Sequence, residues 1–304
     1  MTDKTPFEIV KTTLGAVSIK DNDTGEILHN PVGPWKEANA LYVGQSDLAR
    51  RLALPFPSHL VLFDVGLGAG FNALAAISEF ERVQRDVARL ATDRLATRPR
   101  ATEDSPLLCR PLHVVSFEQD LRLFEYCIDH IDSFPEIAAY RNLMERFLRD
   151  KEVTAGNFKW TLRTGSFIET IKAEVLTPEI IFFDPYSPKM NPEMWSLETF
   201  SKIHNLAKRC PFSSVMMTYS VATGIRTGML LAGFFVGAGP SSGEKNETTF
   251  ASTQILEVRC PLDNRWLQRW HRSHNRLPPG SHLTQEEAKT RLLSHSQWVQ
   301  SANT

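Results

Sequence analysis

The segment Asp64-Val65-Gly66-Leu67-Gly68-Ala69-Gly70-Phe71-Asn72 constrains the chemistry more than any other part of the chain. It follows Leu60-Val61-Leu62-Phe63, a short apolar run of buried-strand type, and leads into helical sequence. Alternating glycines let the backbone turn tightly and approach a ligand with no Cβ in the way. The GxGxG spacing departs from the dinucleotide fingerprint GxGxxG, whose last glycine packs the helix close to a bound pyrophosphate. An acidic residue ahead of the first glycine sits poorly beside a pyrophosphate and well beside an amino-acid ammonium group, which S-adenosylmethionine carries. The plain alternative is a strand–turn–helix connection, in which alternating glycines carry an entropic cost without return. The expectation is an S-adenosylmethionine site using Asp64, Gly66, Gly68, Gly70 and Asn72.

Two further carboxylates fall where such a site needs them. Val114-Val115-Ser116-Phe117-Glu118 ends the next strand-like run on an acid, the position at which a Rossmann-like fold hydrogen-bonds ribose hydroxyls. The gap from Gly70 to Glu118 exceeds the roughly 20 positions of the simple fingerprint, and an Arg-rich insertion accounts for the excess. Phe182-Phe183-Asp184-Pro185-Tyr186 ends a later strand. Pro185 stops that strand and holds the Asp184 carboxylate at its edge. Methyl transfer from a sulfonium to nitrogen needs a neutral amine in line with the methyl, so most of the catalysis is positioning. A carboxylate such as Asp184 can orient the amine and take its proton. The alternatives are an Asp184 that caps the next loop and a Tyr186 that packs rather than lining an acceptor pocket.

The elements that must position these groups alternate. Strands are expected at Leu60–Asp64, Leu112–Phe117, Trp160–Arg163, Ile180–Asp184 and Ser214–Tyr219. Helices are expected from Phe71, over Asp120–Ile131, around Ile137–Phe147, and at Phe167–Ala173, Leu197–Lys208 and Ile225–Leu231. Gly233–Gly237 and Thr248–Leu256 suit a closing antiparallel pair. The fold class is therefore α/β, a doubly wound, mostly parallel, seven-stranded sheet of Rossmann-like type with an N-terminal β-extension. The expected organisation is residues 1–50 as a β-rich extension packed on the core, 51–258 as the Rossmann-like domain and 259–304 as a C-terminal helical tail. In the extension, Phe7–Val10 and Ala16–Ile19 are strand-like, Asp21–Gly25 is a turn signal before Glu26–Leu28, and His29–Asp47, with Trp35, Glu37 and Tyr42, is a polar approach segment.

Two stretches are rich in arginine. Arg82–Arg100 suits either a solvated helix face with Asp86 and Asp93 as counter-charges or a nucleic-acid patch. Asp263–Arg276 interleaves Trp266 and Trp270 with arginines, which suits base stacking or the stapling of a helix onto the core. The formal net charge of −1 gives no whole-molecule steering toward nucleic acid. Cys109, Cys127, Cys210 and Cys260 have neither disulfide-framework nor metal-ligand spacing, so no metal is expected. No apolar run reaches the length of a bilayer span, which makes a cytoplasmic protein with no membrane partner the expectation.

The chain resembles the methyltransferase domain of the bifunctional tRNA 5-methylaminomethyl-2-thiouridine biosynthesis proteins (MnmC) and their stand-alone relatives (MnmD). The resemblance lies in Gly25-Glu26, Glu37-Ala38, Tyr42-Val43, Asp64–Asn72, Ser116-Phe117-Glu118 and, above all, Asp184-Pro185-Tyr186-Ser187-Pro188-Lys189-Met190-Asn191-Pro192-Glu193-Met194-Trp195. That last run is similar to the family's D-x-F-[SA]-P-x-x-N-P-x-[ML]-W. Tyr219-Ser220 and Ala232-Gly233-Phe234 resemble a later family segment. The resemblance implies cofactor contacts from Glu37, Tyr42, Gly165, Ser166 and Asp184 and catalytic roles for Asp184 and Tyr186. It also implies substrate contacts from Lys189, Asn191, Trp195 and Lys245, with a splayed base stacked on Tyr186 or Trp195.

Two departures stand out. Gly165-Ser166 replaces the family's Gly-Asp, so the hydroxyl can accept a hydrogen bond but brings no charge. The family's basic hairpin is kept only in part, as Gly239–Lys245. The implied acceptor is the aminomethyl group of a wobble uridine in a tRNA anticodon loop, with a separate enzyme making the aminomethyl precursor. No second glycine fingerprint for FAD is present, so any oxidative step is expected to belong to another protein. An N-methyltransferase for another amine and a non-catalytic RNA-binding relative are the competing readings, because the fold does not fix the acceptor.

Overall fold

The structure is a computed structural model that describes residues 6–28, 31–54, 56, 58–97, 109–240 and 247–300. Lys245, Arg98, Arg100 and the hairpin loop 241–244 lie outside the described residues. The N-terminal strands β1 (Phe7–Lys11) and β2 (Val17–Asp21) pair antiparallel, with Ile9 opposite Ile19. Asp21 Oδ1 accepts the backbone N–H groups of Asp23 and Thr24 at 2.8 and 3.2 Å, which makes the turn after β2 an Asx turn. After this turn, Ile27 makes a single antiparallel bridge to Lys20.

The remaining strands are β3 (Leu60–Val65), β4 (Leu112–Glu118), β5 (Glu152–Ala155), β6 (Phe158–Thr164), β7 (Ile180–Phe183), β8 (Val215–Thr218), β9 (Phe235–Gly239) and β10 (Thr248–Ser252). They form one eight-stranded sheet in the order β5-β6-β4-β3-β7-β8-β10-β9. β7 and β8 pair parallel, and every residue of both is buried, as strands covered on both faces require. β10 is antiparallel to β8 and to β9. The eighth strand is β5, which pairs antiparallel with β6. Three of its four residues are exposed, so it lacks the apolar run that marks the other strands in the sequence. The strand order reverses at β3, between β4 and β7, and open α/β sheets bind ligands outside the carboxyl ends of strands at such a switch point.

The chain divides into two compact units. The first comprises Met1–Leu62, Leu67–Ser116 and Leu121–Leu162. Its core includes Phe147 stacked on Trp160 at 3.7 Å, with the indole N–H of Trp160 donating to Ser116 Oγ at 2.9 Å. The approach segment is not polar coil. Pro34–Glu37 is a short helix and Ala38–Val43 a π-helical turn, packed on the long helix Phe71–Thr97, because Ala38, Leu41, Tyr42 and Val43 form a buried face. On the long helix, Arg82 is exposed and held by Glu79 at 2.8 Å and Asp86 at 2.6 Å, the solvated-face alternative. Burial pushes the Cys109 thiol up to about 11 and the Cys127 thiol up to about 12, so both stay protonated at neutral pH.

The second unit comprises Phe63–Gly66, Phe117–Asp120 and Arg163–Thr304. An aromatic series runs through it from Phe63 to Phe117, Phe167, Phe183, Trp195 and Tyr219, with successive centroids 5.0 to 6.5 Å apart. In the tail, the helix Asn264–Arg272 buries Trp266, Leu267 and Trp270. Trp266 stacks on Trp298, and the Trp270 indole N–H donates to the Arg276 carbonyl at 3.1 Å. These tryptophans staple the tail and present no face to a base.

Candidate active site

Within the second unit, three backbone hydrogen bonds stitch the carboxyl ends of β3, β4, β6 and β7 together. The N–H of Asp184 donates to the Val65 carbonyl at 2.9 Å, that of Gly66 to the Phe117 carbonyl at 3.1 Å, and that of Gly165 to the Glu118 carbonyl at 2.9 Å. Asp64, Gly66, Glu118, Gly165, Ser166 and Asp184 thereby share one edge. Gly66 has φ +89, and a Cβ there would lie 2.6 Å from the Asp184 carbonyl oxygen, so only glycine permits this approach. Asp64 is fully buried, whereas Asp184 and Glu118 are half-buried. Glu118 Oε1 accepts the N–H groups of Gln119 and Asp120 at 2.8 and 3.0 Å, which fixes the carboxylate at the strand end. Ser166 is exposed and occupies the N-cap position of the helix Phe167–Ala173, but its hydroxyl makes no capping bond.

The segment after β7 is anchored from below. The Tyr219 hydroxyl donates to the Pro185 carbonyl at 3.1 Å, and the Trp195 indole N–H donates to the Tyr186 carbonyl at 2.9 Å. Both residues flanking the Pro185–Tyr186 peptide bond are thus held while the Tyr186 ring, 37 % accessible, faces solvent. Met190 and Val221 are also exposed apolar side chains, on the loops that follow β7 and β8. A half-buried carboxylate beside an exposed aromatic ring can seat a flat acceptor and orient an amine on it.

A model of S-adenosyl-L-methionine-dependent methyltransferases matches residues 136–254. Two curated relatives, both tRNA 5-methylaminomethyl-2-thiouridine biosynthesis bifunctional proteins MnmC, are each 26 % identical to the chain. The protein from Pseudomonas putida aligns over 70 % of this chain and 30 % of its own length, that from Stutzerimonas stutzeri over 81 % and 34 %. The chain therefore spans about a third of the length of these relatives. The solved structure of MnmC2 from Aquifex aeolicus superposes with a TM-score of 0.69 at 22 % identity, covering 97 % of this chain and 86 % of that one, and shares the fold. The chain is similar over most of its length to one part of the MnmC proteins. Residues 136–254 are thus similar to S-adenosylmethionine-dependent methyltransferases, on a mixed α/β, mostly parallel sheet.

The MnmC-like run Asp184–Trp195 does more structural work than its residue types announce. Trp195 is fully buried against Phe183 and Tyr219, and its indole N–H holds the Tyr186 backbone. Asn191, with its amide nitrogen turned toward Glu193, donates to that carboxylate at 2.7 and 3.1 Å and closes the turn. Lys189 is exposed. Within the first unit, Gly68 (φ +53) and Gly70 (φ +88) continue the turn. A Cβ on Gly70 would lie 2.6 Å from the Phe124 ring, so this glycine is demanded by helix packing; Gly68 is half-exposed and has only Leu123 Cδ2 nearby, at 3.7 Å. Asn72 is buried at the start of the long helix. Glu37 is half-exposed, whereas Tyr42 is 1 % accessible.

Sequence reasoning missed the hydroxyl of Tyr219 as the prop of the Pro185 carbonyl, and only its place in the family segment signalled it. It also missed the backbone donors Gln119 and Asp120, which no side-chain pattern marks. Among the described residues no cluster of His, Cys, Asp or Glu could hold a metal ion, and no helix is long and apolar enough to cross a membrane.

Proposed function

We propose that this domain transfers the methyl group of S-adenosylmethionine to the aminomethyl nitrogen of 5-aminomethyluridine, or its 2-thio form, at the wobble position of tRNA. The observation that carries the reading is the Asp184–Trp195 run, whose backbone is held at Pro185 and Tyr186 so that a carboxylate and an exposed aromatic ring stand together at the switch-point edge. The names of the MnmC relatives supply the tRNA and the nucleoside.

The residues present suit the cofactor. Gly68 leaves backbone half-exposed with no side chain crowding it, which allows a ligand to approach the main chain. Asp64 is assigned to the ammonium side, Glu118 to the ribose hydroxyls and Ser166 to the adenine end. The bound cofactor supplies an electrophilic methyl on a sulfonium. Tyr186 stacks on the splayed uracil, and Asp184 orients the neutral amine and receives its proton as the N–C bond forms and the sulfonium S–C bond breaks. Glu37 is a further cofactor contact, and Lys189 and Lys245 are assigned to the tRNA; a separate enzyme supplies the aminomethyl precursor.

Labelled S-adenosylmethionine, bulk tRNA lacking this methyl group and nucleoside analysis test the assignment. The expected product is the methylaminomethyl nucleoside, with label lost when tRNA is replaced by other amines. Label appearing only on a small molecule or a protein would overturn it. Cofactor and its demethylated product should raise thermal stability by mass action, and stabilisation by NAD alone would sink the cofactor assignment.

A further inference from the structure

We infer that the outward face of the helix Asn264–Arg272 is a docking surface for the phosphate backbone of the RNA substrate, lying beside the acceptor edge of the site. The inference rests on the tRNA reading for the identity of the RNA and on the structure for everything else. Asp263 caps this helix by accepting the N–H groups of Arg265 and Trp266 at 2.9 and 3.1 Å. One side is spent on packing, with Trp266, Leu267 and Trp270 buried. The other presents Arg265, Gln268, Arg269, His271 and Arg272 to solvent.

Among the described residues no carboxylate engages Arg265, Arg269 or Arg272. Arg82 differs, because its guanidinium is already shared between Glu79 and Asp86. A chain of net charge −1 thus concentrates uncompensated positive charge on one short helix. With both tryptophans turned inward, the face offers guanidinium groups and no stacking surface. Guanidinium forks match phosphate oxygens, so the face suits a phosphate backbone.

The location is fixed by close packing inside the second unit. A Cβ on Gly224, in the first turn of the helix Thr223–Ala232, would collide with the carbonyl oxygens of Leu277 and Asn275. The chain leaving the basic helix is therefore pressed against the loop at the carboxyl end of β8, where Val221 is exposed. Buried Arg226 ties the same corner together. Its Nε donates to Thr249 Oγ1 at 2.9 Å, and that hydroxyl donates to the Ser220 carbonyl at 2.6 Å. Arg226 loses basicity first through burial, and the charge of Arg269 is among the further causes, which places Arg269 within electrostatic reach of this corner. From Ser220 the path to the acceptor edge is one residue, to Tyr219, whose hydroxyl holds the Pro185 carbonyl.

The test uses the full chain and the triple variant R265E/R269E/R272E, with a lysine triple R265K/R269K/R272K as the conservative control. Binding of an unmodified tRNA transcript is followed by fluorescence anisotropy between 50 and 200 mM salt, alongside cofactor affinity and steady-state methylation. The glutamate variant is expected to weaken tRNA binding by about tenfold or more at low salt and to flatten the log–log salt slope by roughly 3, with kcat and cofactor affinity unchanged. The lysine variant should recover most of the affinity, since point charges still neutralise phosphates. Unchanged affinity and slope in the glutamate variant, or no tRNA binding by the wild-type chain, overturns the docking surface. Methylation of tRNA with an unaltered KM in that variant leaves the proposed function standing and removes this inference. Helix-dependent tRNA binding without any methylation does the reverse.

Discussion

Replacing Gly66 by alanine should damage the domain far more than the same change at Gly68, and the structure sets the size of the difference. At Gly66 the backbone holds φ +89, and the added Cβ would meet Asp184 O at 2.6 Å, Asp184 C at 2.9 Å and Pro185 N at 3.1 Å. All three obstacles are main-chain atoms that no rotamer change can remove. The conformational strain costs about 1–3 kcal/mol. Overpacking against a fixed backbone adds about 1–3 kcal/mol. At Gly68, φ is +53 and the nearest obstacle is the end of a leucine side chain at 3.7 Å, so only the left-handed penalty of about 1–2 kcal/mol applies. Equilibrium urea unfolding of the three proteins reads the stability, and calorimetry with S-adenosylmethionine reads the site. Gly66→Ala should lose about 2–6 kcal/mol, a large share of a typical domain's stability, and should lose turnover because the Asp184 peptide is displaced. Gly68→Ala should stay folded and bind the cofactor more weakly. Equal stability of the two variants, or wild-type turnover in Gly66→Ala, would refute the claim that the β3 and β7 ends are locked by a backbone contact.

Other outcomes follow from single side chains. Asp184→Asn should keep most cofactor affinity while turnover drops by roughly 10²-fold or more, and equal modest losses in both would reassign the residue to packing. Trp195→Phe removes the donor to the Tyr186 carbonyl and should destabilise by about 1–3 kcal/mol while lowering kcat more than cofactor affinity. A variant with normal kcat would show that the Tyr186 backbone needs no prop. Burial holds the imidazole of His204 below its usual range, with Lys208 adding to the effect, and burial likewise lowers His295, helped by His204. The unfolded chain takes up these protons first, so stability should be fully present above about pH 6.5 and decline as pH falls toward the depressed folded values. The urea midpoint measured from pH 7.5 to 5 should fall less steeply in the double variant His204→Gln, His295→Gln, and identical slopes would exclude these rings as the cause.

Much of the fold was legible because its strands are fully buried. Ile180–Phe183 and Val215–Thr218 stand out as unbroken apolar runs, and Phe167–Ala173 is bounded as its sequence suggests. β5 escaped detection because an exposed edge strand needs no apolar pattern, only a partner strand. The segment 34–43 looked polar because Lys36, Glu37 and Asn39 interrupt its apolar residues, yet Ala38, Leu41, Tyr42 and Val43 form a buried face against the long helix. A π-helical turn widens the spacing between successive contacts and hides that face from a 3.6-residue template.

The candidate site divides differently, between residues named for their chemistry and residues that work through the main chain. Asp64, Glu118 and Asp184 were legible because a carboxylate at a strand end is unusual enough to draw notice, and the backbone bonds of Gly66, Gly165 and Asp184 place them on one edge. Trp195 and Asn191 have structural roles that their residue types did not announce. A tryptophan and an asparagine in a distinctive motif suggest contact with a ligand, but the indole N–H and the amide are consumed in holding the loop that carries Tyr186. A motif that is specific in sequence can thus be specific for a loop conformation. The three glycines show the same split: Gly66 and Gly70 answer to crowding by the protein itself, and Gly68 alone leaves the space a ligand would need. Gly68 is also the glycine whose substitution meets the least obstruction, and this is why, on the proposed cofactor reading, Gly68→Ala rather than a change at either neighbour separates cofactor binding from folding.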